Sequence, residues 1–98
     1  MSRATGIIEL RERLLKLIDM VELRLDAEYI LEELDVIRYL MKAYLGPNHQ
    51  VTKEVEEWYN TLMQKYRNNM GERISDDERK ILSLKASSWY NIVKSILF

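Results

Sequence analysis

The stretch "IIELRERLLKLIDMVELRLDAEYILEELDVIRYLMKAYL", residues 7–45, decides the fold, because it carries helical periodicity without a Gly or Pro to interrupt it. Ile7, Leu10, Leu14, Leu17, Ile18, Val21 and Leu25 recur at three- and four-residue steps and make one apolar stripe. Glu9 to Arg13 and Glu12 to Lys16 are i,i+4 pairs in the favourable order on its other side. A second stripe follows in Ala27, Ile30, Leu34, Ile37, Met41 and Tyr44, flanked by Leu31, Leu40 and Leu45. At 100° per residue the two stripe centres differ by roughly 130°. Heptad drift supplies only about 20° per repeat, so a straight helix would show its two halves to different neighbours.

An unbroken helix over 7–45 would be about 58 Å long, against a radius of gyration of about 13 Å for a compact chain of this size. Either the helix bends near 24–27, where Asp26 is a poor helix former and a candidate N-cap, or a second copy covers the overhang. The expectation is a long, bent first helix in a homodimer. Its interface is expected at Leu10, Leu14, Leu17, Val21, Leu25, Ile30, Leu34, Ile37 and Met41. Leu97 and Phe98, which end the chain on apolar side chains, are expected to join them.

The rest of the chain is helical too. Gly46 and Pro47 stop the first region, and Thr52 is read as the cap of a helix over 53–70. Ser75-Asp76-Asp77-Glu78 has the form of a capping box and opens a helix over 76–97. That last helix is expected to bury Ile81, Leu82, Trp89, Ile92, Val93 and Ile96. Residues 1–6 are expected to be a disordered tail. The fold class is all-α, a small bundle of three to four helices in a single domain over 1–98. Trp-Tyr-Asn occurs at 58–60 and again at 89–91, each with the aromatics towards the apolar arc and Asn away from it. An amphipathic helix needs that pattern whatever its function, and a repeat architecture needs more copies.

Composition excludes several chemistries. The 98 residues hold 15 Lys and Arg against 16 Asp and Glu, for a net charge of −1, so no whole-chain field draws polyanions. With no Cys there is no disulfide or thiolate metal site. The N-terminus lacks the apolar core of a secretory signal, and no window is apolar enough for a membrane span, which together predict a cytoplasmic protein. His49 is the only histidine and is read as a solvated loop residue, so no metal site and no cofactor are expected.

Carboxylates are the place where an enzyme would hide. Asp19, Glu22, Asp26, Glu28, Glu32, Glu33 and Asp35 stand against Arg24 alone in residues 19–35. Glu9-Leu-Arg-Glu12 and Glu32-Glu-Leu-Asp35 resemble the E-x-x-E and E-x-x-D halves of the MazG-type nucleoside-triphosphate pyrophosphatases. That resemblance implies Mg²⁺ held by Glu9, Glu12, Glu32 and Asp35 and cleavage of a nucleotide to its monophosphate. The acids nonetheless lie opposite their apolar stripes, and the usual spacing is one residue short. A nucleic-acid reading rests on Lys65, Tyr66, Arg67, Arg73, Arg79 and Lys80 around the turn at 65–80, among which Glu72, Asp76, Asp77 and Glu78 would repel phosphate. The main expectation is a non-enzymatic helical interaction, scaffold or regulatory protein. Its partners would be a second copy of itself or a helical protein, and no membrane.

Overall fold

The computed structural model describes residues 2–96. Among them are four α-helices: α1 (Arg3–Glu22), α2 (Ala27–Tyr44), α3 (Gln50–Tyr66) and α4 (Asp76–Lys94). They make an all-α bundle of 39 × 21 × 21 Å with a radius of gyration of 12.9 Å. No helix among the described residues is long and apolar enough to cross a membrane.

The region expected as one long helix is two. Arg24 adopts a left-handed conformation, φ 58°, while its N–H donates to Val21 O and that of Leu25 to Met20 O. This closes α1 in the manner of a helix C-cap, at a position where glycine is usual. Asp26 is the N-cap residue of α2, but its side chain makes no capping hydrogen bond. The α3–α4 connection does that work instead. Ala27 N–H donates to Glu72 O at 2.7 Å and Glu28 N–H to Met70 O at 3.0 Å, so two N–H groups left open by the helix start find carbonyls distant in sequence.

The break resolves the mismatch between the stripes. Turning α2 back along α1 brings both to one core, where Leu10, Leu14, Leu17, Val21, Ile30, Leu34, Ile37 and Met41 are all 0% exposed within a single chain. These side chains were expected at a contact between copies. They are covered by the chain's own helices instead, and a partner reaches them only if the bundle opens. Leu25 is half-buried, and Leu97 and Phe98 lie outside the described residues. Full burial of each Leu or Ile contributes about 1.5–3 kcal/mol, so one chain gains the stabilisation that a dimer was expected to supply.

Neighbouring helices run antiparallel. Arg13 and Lys16 of α1 reach Glu33 of α2 at 3.2 and 3.7 Å, rather than the Glu9 and Glu12 of their own helix. At the other end of the pair Gly6 faces Tyr44 so closely that a Cβ would overlap the ring. Arg11 donates to Lys94 O and Ile96 O, which sets the end of α4 beside the first half of α1. Helices α1–α4, α1–α2 and α2–α3 pack along their lengths. Long side chains join α3 to α4, with Trp89 Nε1–H donating to Glu54 at 3.0 Å and Tyr66 O–H to Glu78 at 2.5 Å.

Element ends differ from the sequence reading in informative ways. Ser2 Oγ accepts from Thr5 N–H, so α1 begins at Arg3 and residues 3–6 are helical rather than a tail. His49 is not a plain loop residue. It is the N-cap of α3, its Nδ1 accepting from Val51 N–H at 3.1 Å, while Thr52 is buried inside the helix. Helix α3 stops at Tyr66 rather than 70 because the chain must cross to the start of α2, and α4 stops at Lys94. The capping box at Ser75 and Glu78 is present in full. Both Trp-Tyr-Asn triplets turn Asn outward, with Trp89 fully buried and Trp58 half-buried.

Candidate functional site

Two outer surfaces leave apolar side chains without full cover, and the first also carries unpaired acids. The first is the groove between α2 and α3, a cavity of about 380 Å³ lined by Leu31, Tyr59, Met63 and Met70 with Glu28, Glu32 and Asp35 along one edge. Leu31 is buried at its floor, while Tyr59, Met63 and Met70 are half-buried. The acids sit at i, i+4 and i+7 of α2, on one face beside the apolar floor. Asp35 is engaged by Arg38 Nε at 2.7 Å, and the Arg38 guanidinium lies 3.9 Å from the centre of the Tyr59 ring. Glu28 and Glu32 have no cationic partner among the described residues.

Arg38 and Lys42 close the groove's upper end by pairing with Glu56 on α3. Lys42, and then Arg38, hold the Glu56 carboxyl below its ordinary range against the opposing effect of burial. Burial opposes the charge of Arg38 also, but Asp35 and Glu56 raise its pKa on balance. This end is therefore cross-linked by ion pairs, while the Glu28 end stays open and acidic.

The second surface is the outward face of α4, where Ile81, Leu84 and Ile92 are 50%, 74% and 40% exposed. Ile81 and Ile92 were expected in the core. They miss it because the buried line of α4 is Leu82, Ala86, Trp89 and Val93, and a helix of this width buries only one such line against two neighbours.

The four acids of the pyrophosphatase resemblance do not gather. Glu12, Glu32 and Asp35 are exposed and Glu9 is half-buried, and among the described residues no group of three or more acids or histidines is placed to hold a metal ion. The carboxylate that turns inward is Glu33, 4% exposed, and Arg13 and Lys16 neutralise it. Shared coordination of Mg²⁺ needs oxygens within about 2 Å of one ion, and these four acids are not grouped in that way.

The basic turn is divided as well. Tyr66 is 3% exposed, and Lys65 Nζ donates to Glu78 at 3.0 Å. The ring is closed to a base, whereas the ammonium is paired but stays at the surface on a side chain 53% exposed. Arg79 contacts Asp76 at 3.6 Å. Lys65, Arg67, Arg73 and Lys80 are exposed, which leaves four of the six expected residues at the surface.

Sequence reasoning missed Glu33 and the Met-lined groove. Glu33 is distinguishable from Glu32 only through the face it occupies once α2 is placed. Met63 and Met70 read as core positions at helical spacing, and no sequence signal says that the wall over them is missing. Comparison of the chain with family models, curated proteins and solved structures gives no match.

Proposed function

We propose that the chain is a non-enzymatic helical interaction module that receives an amphipathic, basic helix of a partner protein in the α2–α3 groove. The observation that carries this reading is the groove's composition: an apolar floor with two methionines, edged by Glu28 and Glu32, which have no cation of their own. Methionine is unbranched and polarizable and repacks around varied aliphatic side chains. A helix laid in such a groove inserts residues at i, i+3 or i+4 and i+7, while Lys or Arg on its flank meets the acids. Charge of this kind acts mainly on specificity and encounter rate, and the apolar floor supplies most of the affinity.

The test uses two synthetic amphipathic peptides of identical Leu pattern, one flanked by Lys and one by Glu. With the full chain labelled at methionine methyls, the Lys peptide is expected to shift Met63 and Met70, and the Glu peptide to leave them unmoved. Glu28→Lys with Glu32→Lys is expected to weaken the Lys peptide by about tenfold or more, equivalent to about 1.4 kcal/mol. Equal binding of both peptides would remove the reading.

The exposed row on α4 supports a second reading, a homodimer. Ile81, Leu84 and Ile92 recur at helical spacing on one face, with Ser88 between them. Two copies related by a two-fold axis would present the same row to each other and bury it. Sedimentation at about 100 μM is expected to give a dimer that Leu84→Glu converts to monomer. A wild-type monomer at that concentration leaves the groove reading intact and ends this one.

A further inference from the structure

Where the α1–α2 corner meets the start of α4, Arg24, Leu25, Arg73, Ile74, Asp76 and Arg79 line a cavity of about 310 Å³. It shares no lining residue with the α2–α3 groove. Three arginines and a single acid are thus brought to one cavity. Asp76 lies 3.6 Å from Arg79 Nε, too far for a hydrogen bond, and that Nε is buried without a hydrogen-bond partner. Arg24 and Arg73 form no ion pair with any described residue. Like charges gathered around one cavity repel each other, and the water-poor surroundings of the Arg79 Nε strengthen that repulsion. An anion in the cavity would reverse the sign of the interaction.

The backbone adds an independent observation. Arg24 holds φ 58° at the close of α1, a conformation in which an L side chain is strained and glycine is not. A long cation occupies the position where local stability favours glycine. Strain of this sort gathers where a side chain is needed for something besides the fold.

We propose that Arg24, Arg73 and Arg79 form a binding site for one phosphomonoester group, carried by a small molecule or by a phosphorylated side chain. The guanidinium fork matches a phosphate with two parallel N–H donors, and three forks around one cavity suit the several oxygens of a terminal phosphate. A nucleic-acid backbone fits less well. Glu72, Asp76 and Asp77 are exposed around the site, and they would repel the second and third phosphates of a chain while tolerating a single one. The site keeps Arg73 and Arg79 from the basic turn and adds Arg24, which lies distant in sequence.

The experiment follows backbone and arginine Nε–H signals of the full chain during titration with inorganic phosphate, with chloride at equal ionic strength as the reference. Saturable shifts are expected at Arg24, Arg73, Ile74 and Arg79. Arg73→Gln is expected to weaken phosphate at least tenfold with Tm little changed. Arg24→Gly is expected to weaken it similarly while raising Tm by about 3 °C, through relief of the left-handed strain. Opposite signs on affinity and stability separate a binding arginine from a structural one. Phosphoserine peptide and adenosine 5′-monophosphate then identify the carrier, and tighter binding of either than of inorganic phosphate supports the site. Shifts that chloride reproduces, affinity unchanged in Arg24→Gly, or tighter binding of a single-stranded oligonucleotide lacking a terminal phosphate would each overturn it.

Discussion

Trp89→Ala is expected to destabilise the chain by about 3–5 kcal/mol, the range for removing a large aromatic from a well-packed core. Trp89 is 0% exposed and is among the largest fully buried side chains. Its Nε1–H donates to Glu54 Oε1 at 3.0 Å, where Lys85 Nζ also approaches at 3.4 Å. This hydrogen bond, followed by that from Gln50, is the main reason the Glu54 carboxyl titrates below its ordinary range. Truncation therefore leaves a cavity at the α3–α4 seam and removes the strongest donor to a half-buried carboxylate. Domains of this size are stable by about 5–15 kcal/mol, so the loss is a large share of the total. Urea unfolding should show a lower midpoint at nearly constant slope. Trp89→Phe keeps most of the volume and loses only the donor, so about 1–2 kcal/mol is expected. A cost below 1 kcal/mol for the alanine variant would mean that α4 does not complete the core.

The second large effect is a dependence of stability on acid centred on Glu78. Burial by itself would raise the pKa of this carboxyl. Donation from Tyr66 O–H at 2.5 Å, from Ser75 N–H at 2.9 Å and from Lys65 Nζ at 3.0 Å overcomes that and sets it at about 2. Tyr66 moves the other way. Burial and donation to Glu78 both favour the protonated phenol, and its pKa is raised.

The folded pKa of Glu78 lies below the unfolded value of 4.5, so the unfolded chain binds the proton more readily. Its contribution is fully present above about pH 5 and is lost as the pH falls from there through about 2. A shift of this size corresponds to about 3 kcal/mol. The side chain is 20% exposed, and competition from water reduces the expected value to about 2 kcal/mol. Stability measured by denaturant between pH 6 and pH 2 should fall more steeply for wild type than for Glu78→Gln, which keeps the shape and loses the charge. Tyr66→Phe should flatten the profile in part. Glu54 and Glu56 are held down as well, and the difference between wild type and Glu78→Gln isolates Glu78 from them. Parallel profiles would show that Glu78 is not specially held.

These two sites stand at opposite ends of legibility. The capping box could be read from Ser75 and Glu78 alone, because a cap involves atoms three residues apart. That the same carboxylate also takes a proton donor from Tyr66 and a cation from Lys65 could not be read, since those partners arrive only when α3 lies beside α4. The same contrast holds for the helix break. Roughly 130° between two stripes told of a change of direction, yet Asp26 makes no side-chain cap, and the carbonyls of Met70 and Glu72 supply what it does not.

The candidate surfaces divide in the same way. The spacing of Leu10, Leu14, Ile30 and Leu34 says that these side chains need cover, but not what covers them. Period and spacing record that a face is apolar, and they are silent on whether the neighbour belongs to the same chain. The Arg24, Arg73 and Arg79 cavity joins a helix end to a loop nearly fifty positions away, and no local pattern links them.

By itself the sequence determined the all-α class, the apolar stripes of α1 and α2 that must leave water, the loop at Gly46-Pro47 and the start of α4, since each depends on residues within one or two helical turns. Only the tertiary structure decided that α1 and α2 are separate, that their apolar faces meet inside one chain, and which charges stay unpaired. Those outcomes depend on contacts between residues far apart in the chain, whose formation the local pattern permits but does not select.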